Sequence, residues 1–206
     1  MDSVLPVRSL VYDSLMAGVC AFVLAGGQSS RMGADKAFLE VDGQPLVLRM
    51  LELARAVASD VRIVGSAEKF RGYAEVVEDV FAGCGPLAGI QAALRSSHSD
   101  LNLILAVDMP FVLPDFLRYL AERSEASGAI VTVPRSEGRW QPLCAIYRSE
   151  FVEVAEASLR EGKYKIDPLF DRVEVRSIEE AELAEQGFGT AMFRNLNTPE
   201  DLQAAQ

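Results

Sequence analysis

VCAFVLAGGQSSRMGADK, residues 19 to 36, opens on a continuous apolar run and closes on a polar, glycine-rich segment. Val19 to Leu24 has the length and continuity of a buried strand, and it ends abruptly in Ala25-Gly26-Gly27. Glycine carries no Cβ, so the backbone N–H groups of such a loop can approach an anionic ligand closely, and Arg31 and Lys36 add positive charge beside it. A nucleoside triphosphate is the expected ligand. Taken alone, the same residues also fit a plain turn at the end of a strand. Two familiar loops are excluded. Five residues separate Gly27 from Gly33 and Ala34-Asp35 precede Lys36, which is not the Walker A spacing, and no G-x-G-x-x-G dinucleotide pattern is present.

Outward from this stretch, apolar runs and amphipathic segments alternate. Val61 to Val64, Val76 to Val77, Leu101 to Val107, Ala129 to Val133, Pro142 to Tyr147, Val173 to Ile178 and Met192 to Phe193 read as extended. Pro45 to Ala58, Gly85 to Ser96, Pro114 to Ser127, Ser149 to Glu161, Glu179 to Gln186 and a terminal segment from Pro199 read as helical. Strand-then-helix alternation implies an α/β fold with a mostly parallel central sheet, helices on both faces and right-handed crossovers. Such sheets bind ligands beyond the carboxyl ends of their strands, where strand order reverses. The loop from Ala25 to Lys36, Asp79 and Asp108 each follow a strand of this set, so one rim should carry all of them.

The chemistry-bearing residues have local readings of their own. Asp108 follows Leu101 to Val107 directly and precedes Met109-Pro110; its carboxylate is either a hard oxygen ligand for Mg²⁺ bridging phosphates or a turn aspartate before a proline. Asp79, beside Glu78, is on the same grounds a nucleotide contact or a solvated turn acid. Lys36 and Arg31 are cations for phosphate oxygens or surface charges. Gly85 to Gly89 opens a helix whose free N–H groups could face an anion or a base, with Gly89 read as a packing glycine. Thr198, Pro199 and Asp201 form an N-cap pattern, which leaves Asn195 and Asn197 unexplained; in an extended stretch they share a face.

LAGGQSSRMGADK, from Leu24 to Lys36, resembles the signature of the molybdenum cofactor guanylyltransferases (the MobA family), within the Rossmann-like nucleotidyltransferases that include sugar-nucleotide pyrophosphorylases. EDVFAGCGPLAGI (Glu78 to Ile90), LAVDMPFV (Leu105 to Val112) and NLNTPEDL (Asn195 to Leu202) resemble the same family in the same order, four collinear segments over about 180 residues. The resemblance implies a Rossmann-like nucleotide-diphospho-sugar transferase fold and transfer of GMP from GTP to the terminal phosphate of molybdopterin, with pyrophosphate released. It implies that Leu24, Ala25, Gly26, Gly27, Lys36, Asp79 and Asp108 bind GTP, with Asp79 on the guanosine. Asp108 would hold Mg²⁺, Lys36, Arg31 and Asp108 would be catalytic, and Asn195 and Asn197 would face molybdopterin. Related cytidylyltransferases tend to carry Ala where this chain has Gly26, which favours GTP over CTP. The resemblance also allows contact with other proteins of molybdenum cofactor biosynthesis. One departure is Val64-Gly65-Ser66, where relatives often have asparagine; this would remove one ribose or phosphate contact.

Composition agrees. The chain has 206 residues, half of them hydrophobic, and a formal net charge of −10, enough for one sizeable core and against a general nucleic-acid or anionic-membrane binder, which needs a basic field. Cys20, Cys84 and Cys144 are odd in number and widely spaced, and read as reduced core thiols of a cytoplasmic protein. No run approaches the roughly 20 apolar residues of a membrane span. Residues 1–18 read as an N-terminal extension, with Met16 a candidate natural start, and 19–206 as one nucleotidyltransferase domain. Arg135, Arg139, Trp140 and Gln141, or Lys163 and Lys165 beside Tyr164, are candidates to receive the pterin or its phosphate, and Trp140 could stack on the ring. His98 is expected in solvent.

No His, Ser or Cys nucleophile set stands out, which suits a reaction whose acceptor is already a phosphate anion. Two other classes stay open. One is a related nucleotidyltransferase using CTP or a sugar or polyol phosphate acceptor; the other is a non-catalytic nucleotide-binding regulator.

Overall fold

The computed structural model describes residues 18–26, 35–81, 83–196 and 201. Along it run β1 (Val19–Leu24), β2 (Glu40–Val41), β3 (Gln44–Pro45), α1 (Leu46–Arg55), β4 (Asp60–Val64), α2 (Ala67–Phe70), β5 (Glu75–Val77) and α3 (Pro86–Ser96). Then follow β6 (Leu101–Ala106), α4 (Pro114–Ser127), β7 (Val131–Ser136), β8 (Arg139–Trp140), β9 (Cys144–Arg148), α5 (Phe151–Arg160), β10 (Val175–Ile178) and α6 (Glu180–Glu185). Short 3₁₀ turns lie at Lys36–Phe38, Asp167–Arg172 and Thr190–Phe193. The readings for residues 1–17, Gly27, Arg31, Asn197 and, Asp201 apart, the segment from Pro199 lie outside the described residues.

β1 is buried at every position and divides its side chains between two cores. Val19, Ala21 and Val23 enter one, with α1 and α4; Cys20, Phe22 and Leu24 enter the other, with α3 and α5. That is the period-two alternation of a strand covered on both faces. Each large side chain so enclosed, such as Phe22, Met50 or Ile90, contributes about 1.5–3 kcal/mol from burial.

The sheet order is β10-β7-β9-β6-β1-β4-β5, with β8 paired to β7. β6, β1, β4 and β5 are mutually parallel, Leu24 lying opposite both Val64 and Ala106. From β1 the chain builds outward through β4 and β5, then returns over α3 to place β6 on the other side of β1. Strand order therefore reverses between β1 and β6. β9 runs antiparallel to both β6 and β7 and β8 antiparallel to β7, which makes the sheet mixed on this side of β6. Among the described residues no helix is long and apolar enough to cross a membrane.

Several boundaries differ from expectation for identifiable reasons. Met192 to Phe193 is part of a 3₁₀ turn and not a strand: both side chains are buried, and Phe193 meets Phe116 edge-on at 5.4 Å, whereas a strand would direct successive side chains to opposite faces. β7 runs past Pro134 to Ser136, because the Pro134 carbonyl still accepts the Gln141 N–H at 2.9 Å. Cys84 is half-buried in a turn and not a core thiol, unlike Cys20 and Cys144.

Candidate active site

Backbone hydrogen bonds continue the sheet past its strand ends and fix the loops that leave it. Val107 N–H donates to Leu24 C=O at 3.1 Å, Ala25 N–H to Val64 C=O at 2.9 Å, and Gly65 N–H to Val77 C=O at 3.0 Å. The exits of β6, β1, β4 and β5 thus share one rim, with Ala25 and Gly26 beside the reversal of strand order. On the far side of Asp108, Ala106 N–H donates to Leu143 C=O at 2.8 Å, so the start of β9 forms the adjoining wall.

Asp108 lies two residues past β6. Its carbonyl accepts the Leu196 N–H at 2.9 Å, which brings the segment containing exposed Asn195 against the same turn. Lys36 arrives from the opposite side. The Asp35 Oδ1 atom accepts Ala37 N–H at 3.2 Å and its Oδ2 meets Lys69 Nζ at 2.6 Å. Phe38 stacks on Phe70 with centroids 5.6 Å apart. From this anchored turn the Lys36 Nζ atom stands 3.5 Å from Asp108 Oδ2, their side chains 24% and 20% exposed. Burial pushes the Asp108 carboxyl above the usual carboxylate range, and the Lys36 ammonium opposes that shift.

Asp79 follows β5 and is half-buried. Its neighbour Glu78 accepts the Ala67 N–H at 2.9 Å, so the loops after β4 and β5 are tied together. Gly85, at φ 74°, opens α3, a left-handed turn that favours glycine. Gly89 fits the packing role: a methyl there would meet Leu24 Cδ2 at 3.4 Å. Gly65 has a local cause as well, since a Cβ would come within 3.0 Å of the Phe70 ring. Within Val64-Gly65-Ser66, Gly65 is thus the residue over which Phe70 lies.

The rim thus carries Leu24, Ala25 and Gly26 beside Lys36, Asp108 and Asn195, with Asp79 two strands away from β1 at the exit of β5. Trp140 is not an open stacking platform on both sides: Arg135 lies 4.7 Å over its ring and Phe170 meets it edge-on at 5.3 Å. Lys163 pairs with Glu161 at 2.8 Å, Tyr164 is exposed, and His98 is exposed. Among the described residues no cluster of three or more His, Cys, Asp or Glu could enclose a metal. The donor set is one rim carboxylate, Asp108, which fits Mg²⁺ completed by phosphate oxygens and water and does not fit a metal caged by protein alone.

The sequence model for a MobA-like NTP transferase domain matches residues 21–175. The chain belongs to the MobA-like nucleotidyltransferase family. Among relatives of this family, a probable molybdenum cofactor guanylyltransferase of Pelotomaculum thermopropionicum is 39% identical over 186 residues, 89% of this chain and 90% of the relative. Another, from Carboxydothermus hydrogenoformans, is 34% identical over 91% of this chain and 95% of its own. The crystal structure of molybdopterin-guanine dinucleotide biosynthesis protein A from Archaeoglobus fulgidus superposes with a TM-score of 0.79 at 31% identity, covering 90% of this chain and 95% of that one. The mixed α/β sheet described above is thus the Rossmann-like fold of this family.

Of the supporting residues, Asp35 and Glu78 lie inside the quoted motifs, with no role read for them there. Asp35 carried a signal, an N-capping residue type directly before Lys36. Glu78 had the weaker signal of adjacency to Asp79. Phe38 and Phe70 had none, because residues 32 positions apart (70 − 38 = 32) meet only once the loops of two strands share a rim.

Proposed function

We propose that this protein transfers GMP from GTP to the terminal phosphate of molybdopterin, releasing pyrophosphate. The observation that carries the reading is the approach of Lys36 to Asp108 at the reversal of strand order, within 3.5 Å. Relatives named molybdenum cofactor guanylyltransferase over nearly the whole chain support the choice of substrates.

An oxygen of the acceptor phosphate attacks the α-phosphorus of GTP, and the bond from that phosphorus to the β-phosphate bridging oxygen breaks. A phosphate monoester is already an anion at neutral pH, with its second pKa at about 6, so the protein need not supply a general base. Its task is to align two polyanions and offset their repulsion. Lys36 and Arg31 place positive charge beside the transferring and leaving phosphates. Asp108 would hold Mg²⁺, which would supply positive charge to phosphate oxygens. Backbone N–H and C=O groups from Leu24 to Gly27 read the guanine edge, and Asp79 holds the guanosine. Asn195 and Asn197 orient the molybdopterin side. Residues 19–206 act in this reading as one domain, in the cytoplasm, where the three free thiols stay reduced.

The test is pyrophosphate release from GTP with Mg²⁺ and molybdopterin supplied. Stoichiometric release coupled to formation of the dinucleotide is expected. Preferential turnover of CTP would reassign the base, and tight GTP binding without release would make the protein a nucleotide-binding regulator.

A further inference from the structure

Basic side chains from three parts of the chain meet the four residues Asp108 to Phe111 that leave β6. Lys36 faces Asp108 at 3.5 Å. Arg49 on α1 donates its Nε–H to Pro110 C=O at 3.1 Å. The Arg194 guanidinium carbon lies 4.7 Å above the centroid of the Phe111 ring. Their charges are disposed differently. Lys36 is offset by the Asp108 carboxylate and Arg49 by Asp42 at 3.5 Å. Among the described residues no carboxylate pairs with Arg194, which is exposed.

A cation with no carboxylate partner among the described residues, beside this turn of a chain carrying −10, is a local positive charge in an acidic surround. The aromatic face steadies it by about 0.5–1 kcal/mol at an exposed position and consumes none of its N–H donors, so the planar fork stays available for a bidentate partner. Its backbone is fixed on both sides: Arg194 N–H donates to Ala191 C=O at 3.2 Å, and Leu196 N–H donates to Asp108 C=O at 2.9 Å. A guanidinium pre-placed in this way loses little entropy on binding oxyanions.

We propose that Arg194 is a phosphate-binding residue of this site, held on Phe111 so that its guanidinium meets a phosphate group brought to Asp108. This rests on the nucleotidyl-transfer reading above. The recognition chemistry is the same whether the phosphate belongs to the triphosphate tail or to the acceptor, and no bond forms or breaks at Arg194.

The experiment titrates inorganic pyrophosphate with Mg²⁺ into the full chain by calorimetry, for wild type, Arg194→Gln, Arg194→Lys and Phe111→Leu, and measures KM for GTP and for molybdopterin in parallel. Arg194→Gln should weaken the affected ligand about tenfold, the scale of one charge-assisted hydrogen bond. Loss of pyrophosphate affinity together with a raised KM for GTP assigns the triphosphate; intact pyrophosphate affinity with a raised KM for molybdopterin assigns the acceptor. Either outcome supports the proposal. Arg194→Lys should recover part of the loss, and Phe111→Leu, which keeps the charge and frees its position, should move the same parameter by a smaller factor. An Arg194→Gln variant matching wild type in pyrophosphate affinity and in both KM values overturns the proposal while leaving nucleotidyl transfer intact. A wild type that binds pyrophosphate without turnover removes the proposed function, and the titration alone then decides Arg194. A wild type that does neither removes both.

Discussion

The Lys36 ammonium and the Asp108 carboxylate stand 3.5 Å apart across the mouth between β1 and β6, one supplied by the loop after the first strand and the other by the turn after the sixth. Two forces act on Asp108. Burial raises its pKa and Lys36 pulls against that rise. The sign of the linkage follows. A folded-state pKa above the unfolded value of about 3.9 means that Asp108 contributes stability that is fully present below that unfolded value and is lost as pH rises through the folded one. Above the folded value its ionised carboxylate is therefore a net burden on the fold.

Asp108→Asn should accordingly abolish turnover while leaving the thermal midpoint at pH 7 unchanged or higher. Pyrophosphate release and calorimetry on the same preparation check both halves, and a lowered midpoint would contradict the burial argument.

Removing the opposing charge should move the acid limb of the rate profile. In Lys36→Met the Asp108 carboxyl loses its stabilising cation, so its pKa rises further and activity falls away at a higher pH than in wild type, on top of a lower plateau. The measurement is kcat/KM against pH for both proteins, and coincident acid limbs would refute the coupling.

Gly26→Ala is expected to separate stability from selectivity. A methyl there would meet Val64 O at 3.8 Å and Gly65 Cα at 3.9 Å, ordinary van der Waals distances, so the protein itself has room for it. The thermal midpoint should stay within about 2 °C, whereas affinity for GTP should fall relative to CTP if Gly26 faces the base. Competition between the two nucleotides reads this directly.

Thiol reactivity should divide the cysteines one against two. Burial, assisted by Asp60, pushes the Cys20 thiol up to about 12, and burial raises Cys144 as well. A thiolate-directed reagent at pH 8 should modify Cys84 rapidly and the other two only after denaturation, as counted by intact mass.

How much of this was legible beforehand varies by residue. β1, β6 and α4 were readable because a continuous apolar run or a proline-started amphipathic segment specifies each locally, and Pro114–Ser127 matches its element to the residue. Asp108 and Lys36 could be singled out by type and by motif, yet their separation could not, since it depends on which strands become neighbours. The direction of β9 was hidden for the same reason: Cys144–Arg148 has the apolar content of any buried strand, and pairing alone decides that it runs against β6 and β7. The β2–β3 hairpin did leave a trace in Asp42-Gly43, whose φ values of 53° and 75° suit the Asp-Gly preference of a tight hairpin turn. Arg194 left none, because an exposed arginine becomes distinctive only through the ring beneath it.

The bond from Leu196 N–H to Asp108 C=O also orders events in time. Its donor is synthesised 88 positions after its acceptor (196 − 108 = 88). A nascent chain can pair β1 with β6 and bring Lys36 to Asp108 while still tethered to the ribosome, but the turn acquires its last backbone partner only once residue 196 has emerged. Completion of the Asp108 turn is thus coupled to a segment translated well after the strand that carries it.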